Sequence, residues 1–248
     1  MFGRMALATM LLAGVSACAI NPVTGQREFT MVSEAQEIQL GTDNYGYMQQ
    51  AGGGEYDVDP ELTEYVRGVG ERLVAASQQL SFTERHLPYE FAVLNSSVPN
   101  AWALPGGKLA INRGLLTELN SEAELAAVLG HEIVHAAARH SAKQMERSTW
   151  LQIGVIGTAI LTGDSGYSDL AVGGANVGAQ LLSQSYGRNA ELQSDEYGMR
   201  YMSEAGYDPQ GAIALQQTFV RLSEDRATDW LSGLFASHPP SQERVEAN

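Results

Sequence analysis

Gly130-His131-Glu132-Ile133-Val134-His135 is the stretch from which the rest of this chain is read. Ser121 and Glu124 precede it as a capping box at the start of an apolar run, and together they predict a helix from Ser121 to about His140. On such a helix four residues advance about 400°, so His131 and His135 project from one face, one turn apart. Two imidazoles placed in that way can both reach a zinc ion at about 2.0–2.1 Å. Glu132 lies about 100° round from His131, where it can flank the metal without ligating it and take a proton from water activated there. In a chain with 5 His among 248 residues the pattern is expected by chance only about 0.01 times. Metal chemistry is therefore preferred over two helix histidines satisfied inside a core.

A third ligand separates the classes of histidine helix. A metzincin needs Gly at position 138 and His at position 141, where this chain has Ala138 and Ser141. His140, five residues beyond His135, is rotated by about 500° and leaves the metal face. The segment from Tyr186 to Asp195 offers Glu191 and, one turn on, Asp195. The first can ligate the metal, and the second can accept a ring N–H of His131 or His135 and fix its tautomer. Without the histidine pair, Glu191, Asp195 and Glu196 would read as a solvated helix face.

Ser33 and Gln36 form another capping box, for a helix to about Gln50 that Gly52-Gly53-Gly54 ends. Asp59-Pro60 opens a helix with Leu62, Val66, Val69 and Leu73 at three- and four-residue spacing. Tyr89 to Leu94 and Ala101 to Asn112 carry strand signals, the second as two arms about the turn Pro105-Gly106-Gly107. Helices resume at about Asn189, stop at Gly206 and restart at Asp208-Pro209. The order predicts an α+β fold, mainly helical, with a small mixed or antiparallel sheet beside the histidine helix, in a single domain over residues 33–248. Trp150 to Leu161 is interrupted by Gly154 and Gly157 and followed by Asp164. It is too short to span a bilayer and reads as a packed helix or a flap over the cleft.

The 29 acidic residues outnumber the 15 Lys and Arg, for a formal charge of −14, which argues against a nucleic-acid partner. The single Cys18 excludes an internal disulfide and an all-Cys zinc site. Met1 to Ala17 reads as an export signal, with Arg4, a short apolar run to Gly14 and no acid before Glu28. Val15-Ser16-Ala17-Cys18 resembles the bacterial lipobox, which makes residues 1–17 a lipoprotein signal peptide and Cys18 the residue that carries lipid. Cleavage by the ordinary leader peptidase is the alternative and would leave a soluble periplasmic protein. Ala19 after the Cys resembles the sorting pattern for the outer membrane of Gram-negative bacteria. Residues 18–32 then read as an anchor and linker, with turn formers at Asn21-Pro22 and Thr24-Gly25.

Four segments together resemble the HtpX/BepA/LoiP group of zinc metalloendopeptidases, relatives of the CAAX prenyl endopeptidase. They are Asn100 to Leu116 (NAWALPGGKLAINRGLL), His131 to His140 (HEIVHAAARH), Tyr186 to Asp195 (YGRNAELQSD) and Ser237 to Arg244 (SHPPSQER). Asn21 to Gly25 and Val32 to Glu34 are similar to the mature start of the lipoprotein members. Gly187 and Ser194 replace the Ser and Ala of the family pattern, small residues for small ones. With ten residues after His238, a single-domain member without the tetratricopeptide domain of some periplasmic members is expected.

The resemblance implies a zincin-type metallopeptidase domain with one zinc ion per chain on His131, His135 and Glu191, Asp195 behind the ligands, and Glu132 as proton acceptor and donor. Lys108, Leu109, Ala110, Ile111 and Asn112 correspond to an edge strand that would align an extended substrate by main-chain pairing. Unfolded or misassembled envelope proteins at the periplasmic side of the outer membrane are the substrates this favours, with contact to the outer-membrane assembly machinery as a further expectation. His238 and Arg244 are candidate oxyanion donors, and His238 could instead occupy the open zinc position in a closed, inactive state. His86 and Arg139 read as structural. The rival reading is a chaperone or assembly factor for outer-membrane proteins in which zinc only holds the fold.

Overall fold

Every residue of the strand Lys108–Asn112 is buried, because helices cover both faces of the sheet it belongs to. The computed structural model describes residues 18–148 and 186–225 together with His238 and Arg244. An antiparallel ribbon of β1 (Cys18–Ile20) and β2 (Arg27–Phe29) leads into α1 (Glu34–Ala51) and α2 (Pro60–Gln79). Then come β3 (Glu90–Leu94), β4 (Ala101–Leu104), β5 (Lys108–Asn112) and the single turn α3 (Arg113–Leu116). The histidines lie on α4 (Glu122–Ala137), and α5 (Arg188–Glu204) and α6 (Gln210–Asp225) follow. The predicted export signal and the Gly- and Ala-rich stretch containing Trp150 to Leu161 lie outside the described residues.

The fold class agrees with the α+β expectation, and the sheet is mixed. Its order is β3-β5-β4, with β3 parallel and β4 antiparallel to β5. Leu109 and Ile111 join Phe91, Val93, Ala101 and Ala103 in the core shared with α2 and α4. The alternate residues Ala92, Leu94, Leu104 and Ala110 pack with Tyr45 and Met48 of α1, and the Tyr45 hydroxyl donates to the Leu109 carbonyl at 2.8 Å. Gly106 and Gly107 turn the chain between β4 and β5 with φ of 78° and 85°, in the left-handed region that favours glycine. This turn touches α1 so closely that a Cβ on Gly41 would lie 2.0 Å from the Pro105 carbonyl oxygen.

Three expectations change. Lys108–Asn112 is the middle strand, hydrogen-bonded on both sides, so it has no free edge to offer a substrate. Of the two outer strands, β3 is partly covered by Gly54 to Tyr56, which bond to Val93 and Asn95. Among the described residues nothing pairs with the outer side of β4. The histidine helix ends at Ala137 instead of about His140, Arg139 has φ of 65°, and helix resumes over 140–148. The reason is long-range: Arg139 is drawn to the buried Glu37 and the Val32 carbonyl, while Arg85 Nη1 caps the Ala137 carbonyl at 3.0 Å. The box at Ser121 is half made, since Ser121 Oγ accepts from Glu124 N–H but the Glu124 carboxylate turns to Asn120 N–H at 2.9 Å. Within residues 18–32, Glu146 Oε1 accepts from Thr30 Oγ1, Met31 N and Val32 N and ties that end of the segment to α4's continuation over 140–148.

Candidate metal centre

Two helices meet at glycines to make the site. A Cβ on Gly130 would lie 3.2 Å from Gly198 O, and one on Gly198 would lie 3.1 Å from His131 N, so α4 and α5 touch backbone to backbone. That approach sets Glu191 and Asp195, one turn apart on α5, against His131 and His135 on α4. All four are buried, as are Glu132, His238 and Arg244.

His131 Nε2 and His135 Nε2 are 3.0 Å apart. A Glu191 oxygen is 3.3 Å from the second and the other oxygen 3.5 Å from the first. His238 Nδ1 completes the group, 3.2 Å from His131 Nε2 and 3.1 Å from Glu191 Oε1. Donor atoms held at 2.0–2.1 Å around a tetrahedral zinc lie about 3.3 Å from each other, so the spacing fits. The charge fits as well. Glu191 and Asp195 pair with Arg244 and, against burial, raise His131 to about 9, and a divalent cation in place of that proton would meet the same carboxylates. Glu132 Oε2 and His238 Nε2 are buried without a hydrogen-bond partner, although His238 Nε2 is 3.4 Å from Glu132 Oε1.

Each imidazole is oriented from behind. His131 Nδ1–H donates to Asp195 Oδ1 at 2.9 Å, leaving the Nε2 lone pair for a metal. His135 Nδ1 lies 3.0 Å from His140 Nδ1, and His140 Nε2 lies 2.7 Å from Gln193 Oε1. One assignment satisfies the chain: His135 donates to His140, which donates to Gln193. The Tyr186 ring stacks on His135 with centroids 3.9 Å apart, its hydroxyl 2.7 Å from Ser141 Oγ. Arg244 holds both oxygens of Asp195 at 2.7 Å and reaches Glu191 Oε2 at 2.9 Å. Arg244, one of the two candidate oxyanion donors, thus stands against both carboxylates of α5.

Electrostatics follow from burial and these partners. Burial pushes the Glu132 carboxyl above the ordinary range, and the His238 and His131 rings pull it partly back. Burial would raise Glu191 too, but the charges of His238 and His131 outweigh it and hold it well below the usual carboxylate range. Asp195 is likewise lowered to about 2, burial being overcome by Arg244 and His131. Burial holds the His135 ring neutral and lowers His140 to about 4, which suits His140 as an acceptor at neutral pH.

The sequence reading thus brought together His131, Glu132, His135, Glu191, Asp195, His238 and Arg244, and the structure gathers all seven. Lys108–Asn112 lies in the sheet below and does not enter. The reading missed the parts played by His140, Gln193 and Tyr186. Tyr186 and His140 do stand at the ends of quoted motifs, but helical rotation pointed away from His140 as a ligand and said nothing of its standing behind one.

The family model for peptidase family M48 matches residues 60–247. The beta-barrel assembly-enhancing protease of Escherichia coli (strain K12) is 30% identical over 226 residues, 88% of this chain and 42% of that protein. The mitochondrial metalloendopeptidase OMA1 of Schizosaccharomyces pombe is 31% identical over 226 residues, covering 90% of this chain and 63% of the relative. Metalloprotease YcaL of Escherichia coli is 27% identical over 198 residues, 77% of this chain and 73% of that protein. The chain spans less than half the length of the assembly-enhancing proteases it matches.

Proposed function

The chain belongs to peptidase family M48, and from that premise we propose that it is a zinc-dependent metalloendopeptidase of unfolded or misassembled envelope proteins. The observation that carries the reading is the convergence of His131 Nε2, His135 Nε2 and the Glu191 carboxylate, with Glu132 beside them. A zinc ion on these three residues would supply a Lewis acid for the scissile carbonyl and a more acidic attacking water. Glu132 accepts the proton of that water and passes it to the leaving amine, and its buried, unpaired Oε2 is the atom free to do so. Asp195 and Arg244 keep His131 and Glu191 in place. The open edge of β4, not β5, pairs with an extended substrate backbone, and an extended backbone is what unfolded protein offers.

His238 closes this arrangement, because its Nδ1 fills the position a substrate oxygen would need. The ring has to leave before cleavage. Substrates among outer-membrane proteins under assembly are supported by the names of the assembly-enhancing relatives. Attachment through a lipid on Cys18 at the periplasmic face of the outer membrane is supported by the Val15-Ser16-Ala17-Cys18 pattern, and among the described residues no helix is long and apolar enough to cross a membrane.

Glu132→Gln tests the proposal. The variant is expected to bind zinc like the parent and to lose at least about 100-fold in cleavage of a denatured envelope protein. Parental cleavage by the variant overturns the assignment. If cleavage is lost while outer-membrane protein assembly proceeds at the parental rate, the chaperone reading is favoured.

A further inference from the structure

The ribbon that begins at Cys18 has two unlike faces. In its register Cys18 pairs with Phe29, Ala19 with Glu28, and Ile20 with Arg27. Paired residues share a face and neighbours along a strand alternate, which places Ile20, Arg27 and Phe29 on one face and Ala19 and Glu28 on the other. The second face belongs to the domain: Glu28 accepts from Asn21 Nδ2 at 3.0 Å and pairs with Lys143 Nζ at 2.6 Å. The first is open, with Ile20 46% and Phe29 55% exposed. Phe82, 62% exposed, packs against the ribbon's turn at Gly25, and Met31, 46% exposed, follows β2. Half of the exposed large apolar side chains of the described residues therefore lie on or against this one ribbon.

We infer that this face docks on the bilayer surface, with Ile20 and Phe29 entering the headgroup region and Arg27 meeting anionic headgroups. The inference rests on the proposed lipid at Cys18, and geometry does the rest. Residues two apart on a strand are about 7 Å apart, and residues paired across strands about 5 Å. A lipid carried by Cys18 would therefore enter the bilayer within about 7 Å of Ile20 and Phe29, too near for a long tether to hold them clear of the headgroups. Nor can the domain drift away on a slack tether, because Glu146 ties Thr30 to Val32 to it. The overall charge of −14 would favour distance from an anionic surface, but the short, folded connection overrides it.

The test uses the acylated full chain reconstituted into phosphatidylethanolamine–phosphatidylglycerol vesicles. Acylation leaves no other thiol, so Phe29→Cys, Ile20→Cys and the reference Tyr47→Cys on α1 each accept one environment-sensitive fluorophore. Docking predicts that emission at positions 29 and 20 rises at least about twofold on reconstitution and is quenched by headgroup-level nitroxide lipids, with position 47 unchanged. The two labelled positions each leave the other apolar residue intact. Protein that floats with the vesicles while 29 and 20 behave like 47 overturns docking and leaves the anchor standing. Protein that does not float overturns the anchor and docking with it. Protection at 29 without vesicles, together with cross-linking between copies, assigns the face to a second copy and overturns docking.

Discussion

His135 is held from behind by a second imidazole, where His131 is held by a carboxylate. The difference gives His140 a positioning role that its place in the sequence did not suggest. Replacing it by Leu leaves His135 Nδ1–H buried without an acceptor, and loss of such an orienting partner lowers metal affinity by about 10- to 100-fold. Competition with a chromophoric chelator reads that loss without reference to cleavage. His140→Asn, which returns an acceptor near the former Nδ1, is expected to recover most of the affinity, and a Leu variant that binds zinc like the parent removes the role. His238 calls for the opposite sign. If its ring blocks the site, His238→Ala raises basal cleavage of a denatured substrate, by about fivefold or more. An oxyanion donor would instead leave a slower enzyme when removed. Initial rates at saturating zinc separate the two.

At the scale of elements, the crossing of α4 and α5 sets the ligand geometry. Gly198→Ala gains about 0.8–1 kcal/mol in helix propensity. It also drives a Cβ to 3.1 Å from His131 N and 3.2 Å from Gly130 C, and overpacking of that kind costs about 1–3 kcal/mol. The second effect wins, so the expected outcome is a lower Tm and weaker zinc binding, since α5 carries Glu191 and Asp195. Gly46→Ala on α1 is the contrast: a Cβ there meets nothing within 4 Å, and stability should rise by about 0.5–1 kcal/mol. Thermal denaturation of both variants with bound metal checks the pair. Features that were legible at this scale are those with local causes. Ser33, Asp59 and the Pro105-Gly106-Gly107 turn mark element ends by the chemistry of nearby residues, and each end lies within about two residues of its expected place. The break after Ala137 was not legible, because Ala136 to His140 favours continued helix and the opposing partner, Glu37, is 102 positions from Arg139. The central place of β5 was hidden in the same way. Its turn announces a hairpin with β4, while its parallel partner β3 leaves no local sign.

Over the whole molecule, the candidate centre was readable to the extent that helical spacing fixes it. His131, Glu132 and His135 share one helix, and Glu191 and Asp195 share another, so each set keeps its relative placement in any packing. What spacing could not give was the gathering of charge once the helices close: three buried carboxylates around Arg244 and the His131 ring, where a metal would take the place of the His131 proton. That gathering makes folding and metal binding one equilibrium. Free zinc at about 100 times its Kd adds about 2.7 kcal/mol. In a chain of this length each kcal/mol moves Tm by about 2–4 °C, so chelation should lower Tm by about 5–10 °C and zinc should restore it. Glu191→Gln turns this into a test of mechanism. His131, His238 and Arg244 favour the charged Glu191 in the folded chain, so the metal-free variant should melt below the metal-free parent, and its rise on adding zinc should shrink to under about 2 °C. Differential scanning calorimetry of the four states decides it. A variant that keeps the parent's full zinc response would show that Glu191 is not the third ligand, and a metal-free variant as stable as the metal-free parent would show that His131, His238 and Arg244 do not depend on its charge.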